Sequence, residues 1–275
     1  MPELPEVETI KNALQPLVSG KQIQKVELLR PEVIAYPAAE QFCERIGGKR
    51  IVQINRRGKF LCLLLEDEKR IWLHLRMTGQ LSVVTENRIQ EKHTHIIFQL
   101  EDGLQLRFND VRRFGRFCLL GSEEEDVYSG VHKLGIEPFD QCLDGTWLED
   151  KLKYRKKSIK ECLLDQSIVA GIGNIYGDEI LFAANICPLC KPEELTKQQW
   201  ERLAMETPRI LQQAILKEAV TPEQYMAEGG FNYRNTSFFQ VYGREGLPCP
   251  HCTEKLVRVV LAGRSSVYCP CCQPR

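Results

Sequence analysis

The pattern of apolar and polar positions changes character along the chain. Between residues 22 and 120, short runs alternate apolar and polar side chains, which is typical of half-buried strands. The run 96–108 indicates two strands joined by a turn at Asp102 and Gly103, and the run 60–77 indicates another hairpin with its turn at 67–69. These hairpins predict a β-sandwich or flattened barrel in the N-terminal half.

Helical spacing of apolar residues begins near Asp144 and continues to about residue 219. The stretch 227–237, rich in Gly, Asn and Tyr, lacks periodicity and predicts a mobile loop, after which short strands are expected to return from Phe238. We therefore expect an α+β multidomain protein. Its predicted parts are an N-terminal β-sandwich with flanking helices (1–130), a linker (131–145), a helical domain (146–237) and a β-hairpin module (238–275).

Composition narrows the class of protein. The 275 residues carry 37 basic and 37 acidic side chains, so any basic surface for nucleic acid must be local. No stretch approaches about 18 apolar residues and no charged-then-apolar leader is present, which predicts a soluble cytoplasmic protein. Twelve cysteines without a leader, several of them in CxxC pairs, indicate reduced thiols that in part bind a metal.

Two CxxC pairs near the C-terminus are separated by sixteen residues that predict a β-hairpin. Four thiolates on such a hairpin suit the tetrahedral coordination of zinc. Cys271 makes the register of the second pair ambiguous, but Cys272 restores the two-residue spacing. The predicted ligands of one structural zinc ion are therefore Cys249, Cys252, Cys269 and Cys272. A further pair, Cys187 and Cys190, has no partner pair nearby, and free thiols are favoured over a second metal site.

Two features of the C-terminal half suit phosphate binding. The stretch 169–179 ("VAGIGNIYGDE") lacks the spacing of a dinucleotide fingerprint and indicates a helix, a glycine turn and a second helix capped by Asn174. Such a helix N-terminus is either a phosphate site or part of an ordinary helical hairpin. Arg264, between Gly263 and Ser265 at the tip of the predicted hairpin, is either a solvated arginine or a contact to a phosphate or sugar.

The first nine residues, "MPELPEVET", allow two interpretations. Removal of Met1 leaves Pro2 with a secondary amine, which can attack a carbonyl carbon and form an iminium directly. Alternatively the stretch only begins a helix, with Pro5 at the first helical position and acidic residues in the first turn.

Two further groups of residues have both a structural and a functional interpretation. The basic run 55–60 ("NRRGKF") usually indicates surface charge. Met77, Arg112 and Phe114 lie at or near strand ends, where they either pack in a core or form a wedge that enters a base stack.

The chain resembles the bacterial formamidopyrimidine-DNA glycosylases over nearly its whole length. The resemblance is carried, in order, by "PELPEVET", "RRGKF", "HLRM", "DVRRFG", "LGIEP", "LLDQ", "GIGNIYGDE", "VYGREGLPC" and the cysteine pairs. It implies a catalytic N-terminal sandwich, a helix-two-turn-helix DNA-binding domain and a zinc finger. It also implies a bifunctional repair enzyme that removes oxidised purines and then cleaves the strand by β,δ-elimination.

The resemblance also implies roles for individual residues. Pro2 would attack C1′ of the damaged nucleotide, Glu3 would transfer protons, and Lys59 and Arg264 would serve β- and δ-elimination. The expected contacts to the DNA backbone are His93, Arg113, Lys156 and Asn174. The three residues expected to fill the space left by an extruded base are Met77, Arg112 and Phe114.

The implied partner is duplex DNA that contains an oxidised purine or an abasic site. We expect one structural Zn²⁺, no redox cofactor, a monomer, no membrane association, and attachment to the nucleoid through DNA. Where family members carry Gly-Gly followed by Thr or Ser, this chain has Thr221 and Pro222. The resemblance therefore implies no ranking between 8-oxoguanine and formamidopyrimidines.

Two alternatives remain at this point. A sister family, similar to endonuclease VIII, removes oxidised pyrimidines with the same amine chemistry, but Leu4 and the set of Met77, Arg112 and Phe114 argue against it. A DNA-binding protein without activity is disfavoured because Pro2, Glu3, Glu6 and Lys59 are all present.

Overall fold

The computed structural model describes residues 1–122, 124, 126–230 and 237–275. These residues form two compact units. The first unit comprises the described residues of 1–132 together with 218–230, and the second comprises 133–217 together with 237–275. No helix in these described ranges combines the length and apolar character needed to cross a membrane.

The first unit is built from two β-sheets and three α-helices among its described residues. Its helices and strands, in chain order, are α1 (Leu4–Val18), β1 (Ile23–Leu28), β2 (Ile34–Tyr36), α2 (Ala39–Ile46), β3 (Ile51–Arg57), β4 (Phe60–Leu65), β5 (Arg70–His74), β6 (Gly79–Thr85), β7 (Thr94–Leu100), β8 (Leu104–Asp110), β9 (Arg116–Leu120) and α7 (Pro222–Glu228). Short 3₁₀ turns occupy Pro31–Val33 and Glu101–Gly103, and a third, Val131–Lys133, spans the boundary between the two units in the chain.

The strands of the first unit form one sheet in the order β1-β7-β8-β6 and another in the order β2-β9-β5-β4-β3. All pairs are antiparallel except β2 with β9. Apolar side chains from α1 and both sheets form one buried core, including Ile10, Leu73, Phe98 and Phe117. This arrangement confirms the predicted N-terminal sandwich with flanking helices.

Both predicted hairpins of the first unit are confirmed. β7 and β8 pair across a turn in which Asp102 and Gly103 have φ values of 64° and 68°. β4 and β5 pair across a turn in which Glu68 has a φ of 60°. Left-handed residues give these short connections the twist that adjacent strands require.

The second unit is helical apart from its C-terminal hairpin. Its elements are α3 (Gly145–Leu152), α4 (Ile159–Leu163), α5 (Asn174–Ala183), a 3₁₀ turn (Pro192–Glu194), α6 (Lys197–Lys217), β10 (Val257–Leu261) and β11 (Arg264–Tyr268). Their apolar faces meet in a core that includes Leu148, Tyr176, Ile180 and Trp200. The predicted helical segment is therefore confirmed.

The expected return of strands at Phe238 is wrong, because the first regular strand after that residue in the described chain begins at Val257. Residues 237–256 form turns and bends with an isolated bridge between Pro248 and Lys255. Positive φ values at Gly243 and Gly246, and prolines that lack a backbone N–H donor, prevent a continuous ladder there.

Helix α7 packs with the sheets of the first unit, whereas the predicted division placed its residues in the helical domain. The ring of Tyr225 is fully buried in the sandwich core, and its hydroxyl donates to the carbonyl of Leu81 at 2.6 Å. Thr221 is the N-cap of α7 and accepts a hydrogen bond from the backbone of Gln224. Most of the predicted mobile loop, residues 231–236, lies outside the described residues.

Candidate functional site

The N-terminus is packed into the first unit as the start of a helix. Glu3 is the N-cap of α1, and its backbone N–H donates to Oε2 of Glu6 at 2.6 Å. Pro2 is buried, and Glu3 and Glu6 are each 3% exposed. Pro5 occupies the second helical position, which corrects the predicted first position. Pro2 is therefore buried directly before the residue that caps α1.

Lys59 lies in the tight connection between β3 and β4. Gly58, with a φ of 53°, and Lys59 form the two-residue loop between the paired residues Arg57 and Phe60. Lys59 is only 5% exposed, so the basic run is not simply surface charge.

Arg56 connects this hairpin to the first helix. Its Nε lies 2.6 Å from Oε2 of Glu8 on α1, and its Nη1 donates to the carbonyl of Gly58 at 3.0 Å. Burial raises the pKa of Glu8, but hydrogen bonds from Lys11 and Arg56 outweigh it and leave the pKa below its ordinary value. The ionised pair therefore holds the turn of Lys59 against the helix that begins beside Pro2.

His74 lies next to Lys59 and is electrically neutral. Its ring is 4.6 Å from that of Phe60, and its Nδ1 accepts the backbone N–H of Arg76 at 2.9 Å. Burial, with Arg76 and Lys59 nearby, lowers the pKa of His74 to about 3. The imidazole therefore adds no second positive charge beside Lys59 at neutral pH.

Met77, Arg112 and Phe114 lie on two loops at the ends of strands. Met77 is 46% exposed and Phe114 is 47% exposed. The guanidinium carbon of Arg112, also exposed, lies 4.9 Å from the centre of the Phe114 ring. These exposures exclude the alternative that the three side chains pack in the core of this unit.

A buried carboxylate holds both loops in place. Asp110, 1% exposed, accepts from the hydroxyl of Thr78 and from the backbone N–H groups of Arg112 (3.1 Å) and Gly115 (2.8 Å). A side chain at Gly115 would collide with the ring of Phe108, since its Cβ would lie 2.4 Å from that ring. Asp110 thus fixes the loop after β5 relative to the loop after β8.

The same loops are bordered by His93 and Arg113, the two residues of this unit that are expected to contact the DNA backbone. The carbonyl of His93 accepts the N–H of Asp110 at 3.0 Å, and His93 is partly buried. Arg113 is exposed and has a left-handed backbone with a φ of 59°.

In the second unit, Arg264 is exposed at the start of β11. It follows a two-residue turn in which Ala262 and Gly263 both have positive φ, which confirms the predicted hairpin. The next carbonyl, that of Ser265, accepts from Nζ of Lys160 at 3.0 Å and from Nδ2 of Asn174 at 2.9 Å.

Asn174 does not cap its helix as predicted. Gly173 is the N-cap of α5, and Asn174 is the first residue in the helix. Its side-chain amide instead donates a hydrogen bond to the carbonyl of Ser265 on the C-terminal hairpin.

A buried ion pair supports the strand that begins with Arg264. Nζ of Lys160 lies 2.7 Å from Asp178, and their side chains are 2% and 1% exposed. Asp178 also accepts from the hydroxyl of Ser266 at 2.5 Å and from the N–H of Val267 at 3.1 Å. Burial raises the pKa of Asp178 despite the neighbouring lysine. Lys160 of α4 and Asp178 of α5 therefore bind β11 at the residues that directly follow Arg264.

Lys156 is available to a ligand. Its side chain is 78% exposed, and its ammonium lies 3.1 Å from Glu193. Solvent-exposed pairs of this kind contribute less than about 1 kcal/mol, so a phosphate can replace the carboxylate at little cost.

The four predicted zinc ligands converge. Their sulfur atoms all lie within 4.8 Å of one another, with Sγ–Sγ distances of 3.9 Å between Cys249 and Cys272 and 3.5 Å between Cys252 and Cys269. A tetrahedron with Zn–S bonds of about 2.3 Å has edges of about 3.8 Å. The four thiols therefore fit one structural zinc ion, while Cys271 is exposed and outside the cluster.

Three regions of the chain match models of known protein families. Residues 1–117 match the formamidopyrimidine-DNA glycosylase N-terminal domain, and residues 134–224 match the H2TH domain of the same enzymes. Residues 246–275 match the zinc finger found in FPG and IleRS. The chain belongs to the formamidopyrimidine-DNA glycosylase family.

Curated relatives agree over the full length. The formamidopyrimidine-DNA glycosylase of Desulforamulus reducens is 42% identical over 274 residues, covering 99% of both chains. That of Moorella thermoacetica is 44% identical over 260 residues, covering 94% of both. Lactococcus lactis Fpg in complex with abasic-site DNA is 33% identical with a TM-score of 0.88, covering 99% of this chain and 100% of that one. The protein is thus a DNA glycosylase/AP lyase that acts on damaged or abasic DNA.

Several supporting residues of this glycosylase were not found from its sequence. Asp110, Asp178 and Arg56 act through contacts with residues distant in the chain, such as Thr78, Lys160 and Glu8. The position of Asp110 at a strand end, just before an exposed loop, was a usable signal. For Asp178 and Arg56 the sequence offered no comparable signal.

We expect Asp110→Asn to impair base removal more than cleavage at a ready-made abasic site. The asparagine amide has one NH₂ group, which would face the backbone N–H of either Arg112 or Gly115, donor to donor. That hydrogen bond is lost, and a buried N–H without an acceptor costs about 1–3 kcal/mol. Single-turnover rates on lesion and abasic duplexes, together with the melting temperature, measure both effects. Asp102→Asn, on an exposed turn, is the matched control. Equal losses on the two substrates would contradict the proposed anchoring role.

Proposed function

We propose that the enzyme removes formamidopyrimidines and 8-oxoguanine from duplex DNA, acting as a monomer through an iminium on Pro2. Strand cleavage by β,δ-elimination follows. The observation that carries the proposal is the packed start of α1, where Pro2 is buried and the backbone of Glu3 is bound by Glu6. A neighbour of similar fold, Lactococcus lactis Fpg with Fapy-dG DNA (TM-score 0.88, 33% identity), supports the substrate class.

In the first step, the amine of Pro2 attacks C1′ of the damaged nucleotide after Met1 is removed. The bond from C1′ to the base breaks, the base leaves with a proton, and the sugar remains attached to nitrogen. An N-terminal amine has a pKa of about 8, and the positive end of a helix favours its neutral, nucleophilic form. Glu3 protonates the opening sugar and relays the later protons.

In the later steps, Lys59 assists β-elimination and Arg264 assists δ-elimination. The DNA backbone is held by side chains that lie exposed or at element ends, namely His93, Arg113, Lys156 and Asn174. The space left by the extruded nucleotide is filled by the exposed residues of the two loops that Asp110 anchors, namely Met77, Arg112 and Phe114.

Borohydride trapping on a panel of duplexes tests this function. The panel contains 8-oxoguanine, a formamidopyrimidine, an oxidised pyrimidine, an abasic site and undamaged DNA. We expect covalent protein–DNA product with both purine lesions and the abasic site. Preferred trapping on the oxidised pyrimidine would instead support the sister activity, and DNA binding without trapping would support a binding protein.

Arg112 gives the enzyme a means to read the base opposite the lesion. A guanidinium has only donors, and cytosine offers O2 and N3 as adjacent acceptors on its exposed edge. Adenine offers N1 beside a donor amine, which meets the guanidinium donor to donor. Stacking on Phe114 limits the orientations of the Arg112 guanidinium.

We expect the enzyme to process a lesion opposite cytosine faster than one opposite adenine by roughly 5- to 150-fold, as a bidentate contact is worth about 1–3 kcal/mol. Arg112→Ala should remove most of this ratio while cleavage of abasic DNA persists. Single-turnover rates for the two pairings measure it, with Arg45→Ala, an exposed arginine on α2 outside both loops, as the control. An unchanged ratio in Arg112→Ala would show that another residue reads the partner base.

A further inference from the structure

The turn Cys187-Pro188-Leu189-Cys190 follows α5 and is unexplained by the repair chemistry. The N–H of Cys190 donates to the carbonyl of Cys187 at 3.1 Å, which closes a four-residue turn. The Cα atoms that end such a turn lie within about 7 Å, and disulfides join Cα atoms about 4.4–6.8 Å apart. Both cysteines carry free thiols. The turn therefore places the two Cα atoms within the range that a disulfide spans.

The two thiols are chemically unequal. Hydrogen bonding from Cys190 lowers the pKa of Cys187 to about 6, aided by the backbone of Leu189 and Cys190 and by the nearby Arg275, although burial opposes it. Donation to Cys187 and burial, with Glu194 nearby, raise the pKa of Cys190. Cys187 is therefore the better nucleophile of the pair.

We propose that Cys187 and Cys190 form a reversible disulfide when the enzyme meets hydrogen peroxide. The sulfur of Cys187 attacks one peroxide oxygen, the O–O bond breaks, and water leaves, so that Cys187 becomes a sulfenic acid. The sulfur of Cys190 then attacks the oxidised sulfur, and the hydroxyl departs with the thiol proton as a second water. Two thiols and one peroxide thus give one disulfide and two waters.

The oxidant must be small, because Cys187 and Cys190 are only 2% and 6% exposed. Peroxide can reach such sulfurs, whereas glutathione disulfide requires the approach of two linked tripeptides. A dithiol reductant restores the thiols once local opening exposes the turn. This dependence on the size of the oxidant distinguishes the buried pair from an exposed cysteine such as Cys142, which larger oxidants can also reach.

The turn is connected to two elements of the second unit. The carbonyl of Cys190 accepts the N–H of Ile159 at the start of α4 at 2.7 Å. The carbonyl of Ile186 accepts Nε2 of Gln273 at 2.7 Å, and Oε1 of Gln273 accepts the N–H of the zinc ligand Cys269 at 2.9 Å. Bond formation brings the sulfurs to about 2.05 Å and tightens the turn. Since α4 supports the strand of Arg264 through Lys160, and Cys269 lies in the same zinc finger, oxidation should weaken DNA affinity several-fold, a consequence that rests on the proposed function.

The test uses the full-length, zinc-loaded protein and low concentrations of hydrogen peroxide. Peptide mass mapping after thiol blocking locates disulfides, dimedone traps sulfenic acid, and a metal-sensitive dye follows zinc release. We expect a disulfide between Cys187 and Cys190 before zinc is lost. Cys190→Ser should accumulate dimedone adduct on Cys187, while Cys187→Ser should leave Cys190 unmodified. Cys142→Ser is the control and should behave as wild type.

Zinc loss before any such disulfide, or a sulfenic acid on Cys190 in the Cys187→Ser variant, would overturn the proposal. So would faster oxidation by glutathione disulfide than by peroxide. DNA affinity is measured on reduced, oxidised and re-reduced wild type. A several-fold loss that is restored by reduction supports the coupling, and an unchanged affinity refutes it. Lesion cleavage by the reduced protein, assayed in parallel, shows separately whether the proposed function holds.

Discussion

Pro2→Gly is expected to lower borohydride trapping on lesion DNA by roughly 100-fold or more. Glycine keeps a terminal amine but loses the ring that fixes the backbone and fills the buried position beside Glu3. Misplacing a reacting group by about 1 Å can cost about 10²-fold in rate. The measurement is the rate of covalent product formation under single-turnover conditions, followed by mapping of the cross-linked peptide.

Pro5→Ala, which changes another proline of the same helix start, is the matched control and should trap at nearly the wild-type rate. Intact mass must confirm that Met1 is absent from each preparation, because a retained methionine places the Pro2 nitrogen in a peptide bond. Equal trapping by Pro2→Gly, with the adduct on a different residue, would remove Pro2 from the mechanism.

Cys252→Ser is expected to abolish zinc binding and to reduce DNA affinity by at least tenfold. Four thiolates hold the metal, and metal binding supplies on the order of 10 kcal/mol to the folding of such modules. Without zinc the hairpin that carries Arg264 loses the metal that joins the cysteine pairs on either side of it, although Asp178 still binds Ser266 and Val267. Metal content by atomic absorption and DNA binding by titration measure the two effects, and circular dichroism shows that the sandwich persists.

Cys271→Ser is the matched control, because this cysteine is exposed and lies outside the ligand cluster. It should keep one zinc per chain and full affinity. A Cys252→Ser protein that lacks zinc yet binds DNA like wild type would show that the finger does not take part in binding.

The sequence predicted features that depend on neighbouring residues. Hairpins followed from alternation and turn residues such as Asp102 and Gly103, and the zinc site followed from the spacing of two cysteine pairs on one hairpin. The family resemblance rested on short contiguous motifs such as "PELPEVET" and "GIGNIYGDE". Each of these signals lies within a few dozen residues.

Errors arose where a local sequence pattern was compatible with two structural outcomes. Asn174 is a good capping residue, but Gly173 takes the cap and the amide binds the carbonyl of Ser265, 91 positions away. Likewise α7 has helical spacing like the helices before it, yet Tyr225 is buried against β6, 144 positions from Leu81. Burial against a distant partner decided both cases.

By itself, the sequence named the candidates for chemistry: Pro2, the lysine of the basic run 55–60, and four thiols at zinc spacing. Only the tertiary structure decided how these groups are held, through Arg56 with Glu8, Asp110 with Thr78, and Lys160 with Asp178. The physical reason is that buried charges need partners, and those partners come from whichever element packs nearby. Periodicity and spacing carry no information about such long-range pairs.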